Sequence, residues 1–229
     1  MQSNFYIDTY CHIENGSILL DGKTLFENAS TASHASSLSP ESSPTPTSSS
    51  SLASHDLEAF LKSAYKHFGT DYPKFFKMDR LSKLAFMAAE VLLGHPNASE
   101  EERNLAIVLA NRASSLDTDR KYQESIADPH NFYPSPAVFV YTLPNICIGE
   151  ISIRHRLRSE NSFFIFDAFE AGFMADYATS LLQTEKADEV LCGWVDVDGD
   201  SYRAFLYLVS KNGNLPHTAL NTTKIYSTP

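Results

Sequence analysis

Cysteine is scarce in this sequence. Its three cysteines, Cys11, Cys147 and Cys192, are too few and too widely spaced for a disulfide framework, and no two of them have the short spacing of a zinc site. This excludes the small secreted proteins that rely on disulfides and favours a reducing compartment. We therefore expect a cytoplasmic protein with no metal ion and no cofactor.

Long apolar runs and positive charge are also in short supply. No stretch approaches the roughly 18 apolar residues that span a bilayer, and the N-terminus has neither the basic nor the apolar region of a signal peptide. Lys and Arg number 18 against 28 Asp and Glu, which gives a formal net charge of -10. Since nucleic-acid binders neutralise phosphates with basic side chains, we expect neither a nucleic-acid partner nor direct membrane insertion.

The chain has enough apolar residues for one sizeable core. It contains 229 residues, of which 43% are hydrophobic and 12% aromatic, so residues 1–229 are predicted to form a single domain. Residues 30–54 are nearly half serine and cannot bury enough apolar surface to order themselves. We interpret this tract as a flexible insertion, because the β-like pieces Asn4 to Tyr10 and Ser17 to Leu20 before it are too small to fold alone.

Hydrophobic periodicity predicts alternating helices and strands in the rest of the chain. Apolar residues recur at helical spacing from Asp79 to Leu93, with Asp79 as a cap and Gly94 as a stop signal. The run from Leu105 to Ala110 is continuously apolar, which is typical of a strand covered on both faces. A helix interrupted near Pro144 is predicted between Ser135 and Arg158.

The pattern continues to the last predicted hairpin. Phe163 to Phe166 is predicted to be a short strand, and Glu170 to Leu182 a helix. Two strands, Glu189 to Val197 and Arg203 to Val209, are joined through Asp198-Gly199-Asp200, which has the composition of a tight turn. Helices that alternate with buried strands indicate an α/β fold.

Four local motifs, in this order, resemble the N-terminal half of the β-ketoacyl synthase family. They are a basic, alanine-rich helix (Met78 to Ala85), a proline-containing segment that leads through Asn145 into a helix (Ser135 to Ile151), a strand running into a bend (Asn161 to Gly172), and a strand ending in Gly-x-x-Asp (Ala187 to Asp196). The resemblance implies a thiolase-like α/β fold, with a mixed, mostly parallel sheet covered by helices.

The resemblance also identifies a departure at the site of the family's nucleophile. Aligning Ala168 and Gly172 with the family's nucleophile elbow places Phe169 where the reactive cysteine belongs, with Glu170 beside it. A phenyl ring cannot form an acyl thioester. The family's two catalytic histidines come from its C-terminal half, whereas this chain ends at Pro229, so we expect no enzymatic activity from the chain alone.

A half-sized relative without the cysteine resembles the chain-length-factor-like subunits of aryl-polyene and flexirubin biosynthesis. This implies a heterodimer with a full-length β-ketoacyl-acyl carrier protein synthase in aryl-polyene or related polyketide or fatty-acid-type biosynthesis. In thiolase-type dimers the strand before the nucleophile pairs across the two-fold axis, which assigns Phe163, Phe164, Ile165, Phe166 and Asp167 to the partner interface. Acyl carrier protein is a further candidate partner, and its predicted docking residues are Arg154, Arg156 and Arg158.

Two other functions stay open at this stage. Asp167 and Glu170 could act as acid and base in a stand-alone enzyme of altered chemistry, or the chain could be a homodimeric scaffold. The alternating Asp196, Asp198 and Asp200 lack the downstream glutamate of an EF-hand and are interpreted as a turn, not a calcium site. The histidines are dispersed, so solvated or capping roles are expected for His12, His67, His95, His130, His155 and His217.

Overall fold

The computed structural model describes residues 4–28, 56–96, 101–130 and 132–228. The strands in chain order are β1 (Tyr6–Glu14), β2 (Ser17–Leu20), β3 (Lys23–Glu27), β4 (Leu105–Asn111), β5 (Asn161–Ile165), β6 (Glu189–Asp198), β7 (Ser201–Ser210) and β8 (Leu215–Pro216). The α-helices are α1 (Leu57–His67), α2 (Arg80–Leu93), α3 (Leu116–Ile126), α4 (Pro136–Phe139), α5 (Ile146–His155), α6 (Ala171–Gln183) and α7 (Ala219–Ser227). The predicted insertion at 30–54 lies outside the described residues, and the single-domain assignment of residues 1–229 stays a prediction.

All the strands belong to one mixed sheet. Its order is β3-β2-β1-β7-β6-β4-β5, with β8 paired to β1. Among the strand pairs of the described residues, β4 is parallel to β5 and to β6, and the other pairs are antiparallel. The expectation of a mostly parallel sheet is therefore wrong, although the sheet is mixed as predicted. Tight turns join β1 to β2, β2 to β3 and β6 to β7, and such turns produce antiparallel neighbours, whereas parallel strands need a longer crossover.

Helices cover both faces of the sheet. Along β4, Leu105, Ile107 and Leu109 pack into the core that includes α1, α2 and α5, whereas the alternate residues pack against α6 on the other face. All seven residues of this strand are buried. The prediction of a strand covered on both faces is confirmed, and so is the α/β layering.

The predicted helix boundaries agree closely with the structure. The Asp79 side chain accepts a hydrogen bond from the backbone N–H of Ser82 at 2.9 Å and so caps α2, which ends at Gly94 with a positive φ of 74°. The segment from Ser135 is interrupted as predicted: α4 is followed by a 3-10 turn at Val140–Thr142, and α5 begins after Pro144. The last hairpin turns at Gly199, with Asp198 opposite Ser201.

Candidate functional site

The bend between β5 and α6 lies at the carboxyl ends of the three neighbouring parallel strands β5, β4 and β6. In open α/β sheets this edge is the usual position of a ligand site. The backbone N–H of Phe166 donates to the carbonyl of Asn111 at 3.0 Å, which fixes the start of the bend to the end of β4. Asp196 ties the loop that follows β4, since its carboxylate accepts from the backbone N–H groups of Arg112 and Ala113 at 3.1 and 2.9 Å.

Phe169 is held in an aromatic stack at this bend. Its ring centroid lies 4.4 Å from that of Tyr226 and meets Phe205 edge-on at 5.5 Å. The guanidinium of Arg203 lies 4.0 Å from the other ring of the stack, Tyr226. Phe169 is thus a half-buried contact for α7, a helix that was not predicted from the sequence. The Tyr226 ring thus contacts both the Phe169 ring and the Arg203 guanidinium, through an aromatic and a cation–π interaction.

Two open clefts flank the bend. One of about 400 Å³ is lined by Arg112, Asp167, Phe169, Trp194, Asp196 and Tyr226, among others. The other, of about 510 Å³, is lined by Arg112, Ile165, Phe166, Asp167, Glu170 and Phe173. Arg112 and Asp167 border both clefts. Asp167 and Glu170 are exposed to solvent and share the second cleft, which is the arrangement that the stand-alone enzyme hypothesis requires.

The predicted interface strand is at the edge of the sheet. In the described residues β5 pairs with β4 alone, from Ile107 opposite Asn161 to Asn111 opposite Ile165. Phe164 packs on the α6 side, 4.7 Å from Phe173, and Phe163 packs toward α2 and α5. Ile165 belongs to neither core cluster and is 49% exposed. The aromatic residues of this strand therefore pack partly within the chain and leave one apolar side chain uncovered.

No thiol lines either cleft. Cys11, Cys147 and Cys192 are fully buried. Burial raises the pKa of all three thiols, to about 12 for Cys192. A buried thiol that stays protonated is a small core residue and not a nucleophile. The interpretation of Cys147 and Cys192 as core residues is confirmed.

Metal-ligating side chains are not clustered in the part of the chain that the structure describes. It contains no group of three or more histidine, cysteine, aspartate or glutamate side chains that could hold a metal ion. Asp198 instead pairs with Arg120, and Asp196 binds backbone N–H groups. The three alternating aspartates therefore belong to a hairpin, as the sequence predicted.

The three predicted docking arginines are in different environments. Arg154 faces inward: its Nε lies 3.1 Å from the carboxylate of Glu90, and its guanidinium lies over the Tyr72 ring at 5.4 Å. Arg158 is exposed and pairs with Glu102 at 2.9 Å. Arg156 is also exposed and ends α5 in the left-handed conformation. Carrier-protein docking through Arg156 and Arg158 stays a prediction, whereas Arg154 connects α5 to α2.

Several histidines are buried, although their dispersal along the sequence predicted solvated or capping roles. His12 is fully buried and donates from Nε2 to the carbonyl of Ile225 on α7 at 3.0 Å. His217 is 2% exposed and lies 3.3 Å from the Tyr207 hydroxyl. Burial lowers the pKa of each imidazole to about 4, which keeps both neutral at pH 7. These histidines anchor the C-terminal part of the chain and line neither cleft.

Among the described residues, no single helix is long and apolar enough to cross a membrane. The pair Pro136–Thr142 and Ile146–His155 meets the criterion of length and composition when the two helices are taken together, and a 96° bend separates them.

Comparison with known proteins identifies the fold. No family model and no curated protein matches the sequence. Among solved structures, the ishigamide ketosynthase/chain length factor matches with a TM-score of 0.56 and 16% identity, covering 90% of this chain and 62% of that chain. A ketosynthase in complex with its chain length factor from Xenorhabdus doucetiae matches with a TM-score of 0.49 and 15% identity, covering 91% and 80%.

The chain therefore spans less than two thirds of the ishigamide structure's matched chain. At this level of identity the likeness concerns the fold and not the activity. The resemblance expected from the four sequence motifs is confirmed at that level. The chain has a thiolase-like α/β fold of the ketosynthase type.

Proposed function

We propose that this chain is a non-catalytic, chain-length-factor-like subunit that pairs with a full-length β-ketoacyl-acyl carrier protein synthase. The pathway would be aryl-polyene biosynthesis or a related polyketide or fatty-acid-type pathway. The observation that supports the proposal is the stacking of Phe169 on Tyr226 at the bend between β5 and α6, the position that the sequence resemblance assigns to the family's cysteine. A hydrocarbon ring offers no electron pair for acyl transfer, so condensation would take place in the partner.

An uncovered sheet edge supports the need for a partner. Exposed edge strands offer unpaired backbone groups to other chains, and soluble proteins normally protect them. β5 has an apolar side chain, Ile165, at such an edge and no charged residue within the strand itself. Pairing β5 with the corresponding strand of a ketosynthase would cover this edge and join the two sheets.

A second apolar surface near the same end of β4 was not predicted from the sequence. Phe132, Tyr133, Phe139, Val140 and Leu143 are each at least 50% exposed. A grouped set of exposed apolar side chains is typical of a protein–protein contact. The segment is attached close to the end of β4, because the Ser115 hydroxyl donates to the carbonyl of Thr142 at 2.7 Å. A partner that covered both surfaces would bury more area than the β5 edge alone.

A charge at the β5 edge should disrupt the complex. We expect Ile165→Lys to weaken pairing with a co-expressed β-ketoacyl synthase by about thirtyfold or more, because it places an ammonium group in the centre of the interface. Ile153→Lys is the matched control, since Ile153 is 63% exposed on α5 and lies outside the predicted interface. Co-purification followed by analytical ultracentrifugation measures both. Equal affinity for the two variants would contradict the predicted interface.

Product length should respond to the size of residue 169. Phe169 lines the cleft of about 400 Å³, so Phe169→Ala would enlarge it by the volume of the ring. If the cleft limits the growing chain, the co-purified complex with Phe169→Ala should release longer products, as measured by mass spectrometry. Phe26→Ala is the control, because Phe26 is a half-buried phenylalanine on β3 that packs against Phe60, lies outside the predicted interface and lines neither cleft. If Phe169→Ala left the distribution of product lengths unchanged, the proposed role in chain length would be refuted, whereas the proposed pairing with the synthase would not be affected.

The shared cleft of Asp167 and Glu170 favours one alternative, a stand-alone enzyme. Two carboxylates beside Arg112 could exchange a proton with a bound substrate. Turnover by the purified chain alone, lost in Asp167→Asn with Glu170→Gln, would support this alternative. A stable homodimer that does not bind the ketosynthase would instead support the other alternative, a homodimeric scaffold.

A further inference from the structure

A third cavity lies away from the candidate site, on the side of the sheet covered by α2. It has a volume of about 360 Å³, which is at the lower end of the range for small-molecule pockets. It lies where the start of α2 meets α3 and α4. The basic helix start from Met78, one of the four family-like motifs, forms one wall. The clefts at Phe169 share no lining residue with this cavity.

Its apolar lining comes from five side chains: Phe76, Met78, Ala137, Val138 and Tyr141. Met78 and Tyr141 are buried, with 4% and 8% of their surface exposed, and form the inner part. The Tyr141 hydroxyl is already engaged, because it donates to Glu150 at 3.1 Å. This part of the cavity therefore offers an apolar and aromatic surface to a ligand.

The acidic groups in the cavity wall are each satisfied within the chain. Glu58 accepts from Lys83 at 2.7 Å, and Asp117 accepts from Arg80 at 3.0 Å. The Asp79 carboxylate is occupied by the Ser82 N–H and by the Thr118 hydroxyl, which donates at 2.7 Å. Glu58 and Asp117 are therefore neutralised by cations, whereas Asp79 has only neutral donors as partners.

Two lysines in the cavity wall have no such partner. Lys77 and Lys121 are exposed and line the cavity, and the structure gives neither an ion pair nor a side-chain hydrogen bond with any described residue. The four basic side chains of the cavity wall thus outnumber its three acidic side chains by one charge, in a chain whose net charge is -10. An apolar pocket with a positive mouth is complementary to a small molecule that has an apolar body and one anionic group.

We propose that this cavity binds a small amphipathic anion, with the apolar body against Met78, Val138 and Tyr141 and the anionic group between Lys77 and Lys121. The anionic group can be a carboxylate or a phosphate ester, since an ammonium donates to either. The body must be short, because the volume is limited.

Titration of the isotope-labelled full chain with octanoate, followed by NMR, tests the inference. We expect saturable shifts at amides lining the cavity, such as those of Met78, Thr118 and Val138, and weaker binding of acetate and of octanol, which lack the body or the charge. Octyl phosphate in place of octanoate identifies the preferred head group. Shifts confined to other surfaces, or none at all, would overturn the proposal.

Two variants and a matched control separate specific binding from general electrostatics. Lys77→Gln with Lys121→Gln should weaken octanoate binding by about tenfold, the combined effect of two exposed charge interactions. Lys62→Gln with Lys66→Gln removes the same charge from α1 outside the cavity and should leave binding unchanged. Ala137→Phe should block the cavity and abolish binding while the remaining spectrum is preserved. If both double lysine variants weakened octanoate binding equally, the effect would be one of net charge, and specific binding in this cavity would be refuted.

Discussion

Gly193→Ala is expected to lose about 4 kcal/mol or more of unfolding free energy, a large part of the total stability of a domain. Gly193 lies in β6 between Leu109 of β4 and Leu206 of β7. A Cβ atom at this position would lie 2.2 Å from the backbone oxygen of Phe205 and 2.5 Å from Cδ2 of Leu206. A backbone oxygen cannot yield without shifting β7, so the substitution would distort the centre of the sheet.

Gly149→Ala is the control for this substitution. Gly149 lies on α5, where an added Cβ would meet no atom within 4 Å, so alanine should stabilise the helix by about 0.5–1 kcal/mol. Urea unfolding monitored by circular dichroism measures both midpoints. A Gly193→Ala midpoint equal to that of the unmodified chain would refute the close approach of β6 and β7.

Gly193 also illustrates how far the sequence could predict the fold. The Gly-x-x-Asp motif was recognised through its family resemblance, and the structure gives its two ends physical roles. Gly193 allows close strand packing, and Asp196 binds the backbone after β4. Strong periodicity was equally sufficient for α2 and β4, because both are buried along most of their length.

The missed helices differ in how much signal their sequences contain. In α3 the only buried residue is Thr118, so its polar sequence gives no apolar stripe. In α1, by contrast, Leu57, Phe60, Leu61, Ala64 and Tyr65 are buried at helical spacing. That pattern could have been recognised, and it follows directly after the serine-rich tract.

Long-range pairing explains what could not be predicted at the site. The position of Phe169 followed from the motif order, but its stacking on Tyr226 joins residues from opposite ends of the last third of the chain. Arg154 was assigned to a docking surface because three arginines alternate along the sequence. Its actual partner, Glu90, is 64 residues away and was not identifiable without the helix packing.

Replacing Glu90 should be the second strongly destabilising change. The carboxylate is 1% exposed and interacts with Arg154, with His95 at 2.8 Å and with His155 at 3.2 Å. Burial alone would raise the pKa of Glu90, but hydrogen bonds from His155, Arg154 and His95 outweigh it and lower the pKa to about 2. Glu90→Gln keeps the shape but leaves the Arg154 charge without its counter-charge between α2 and α5. We expect a loss of about 3–5 kcal/mol at pH 7.

The pH dependence distinguishes this charge effect from a packing defect. Because the pKa of Glu90 falls from 4.5 to about 2 on folding, its contribution is complete above pH 4.5 and is lost as the pH falls toward 2. The difference in urea midpoint between the unmodified chain and Glu90→Gln should therefore narrow between pH 5 and pH 2. Glu102→Gln, which breaks the exposed pair with Arg158, should cost less than about 1 kcal/mol. If the difference in urea midpoint stayed constant with pH, the glutamine would be disturbing the packing. The charge of the Glu90 carboxylate would then not be the feature that stabilises the contact between α2 and α5.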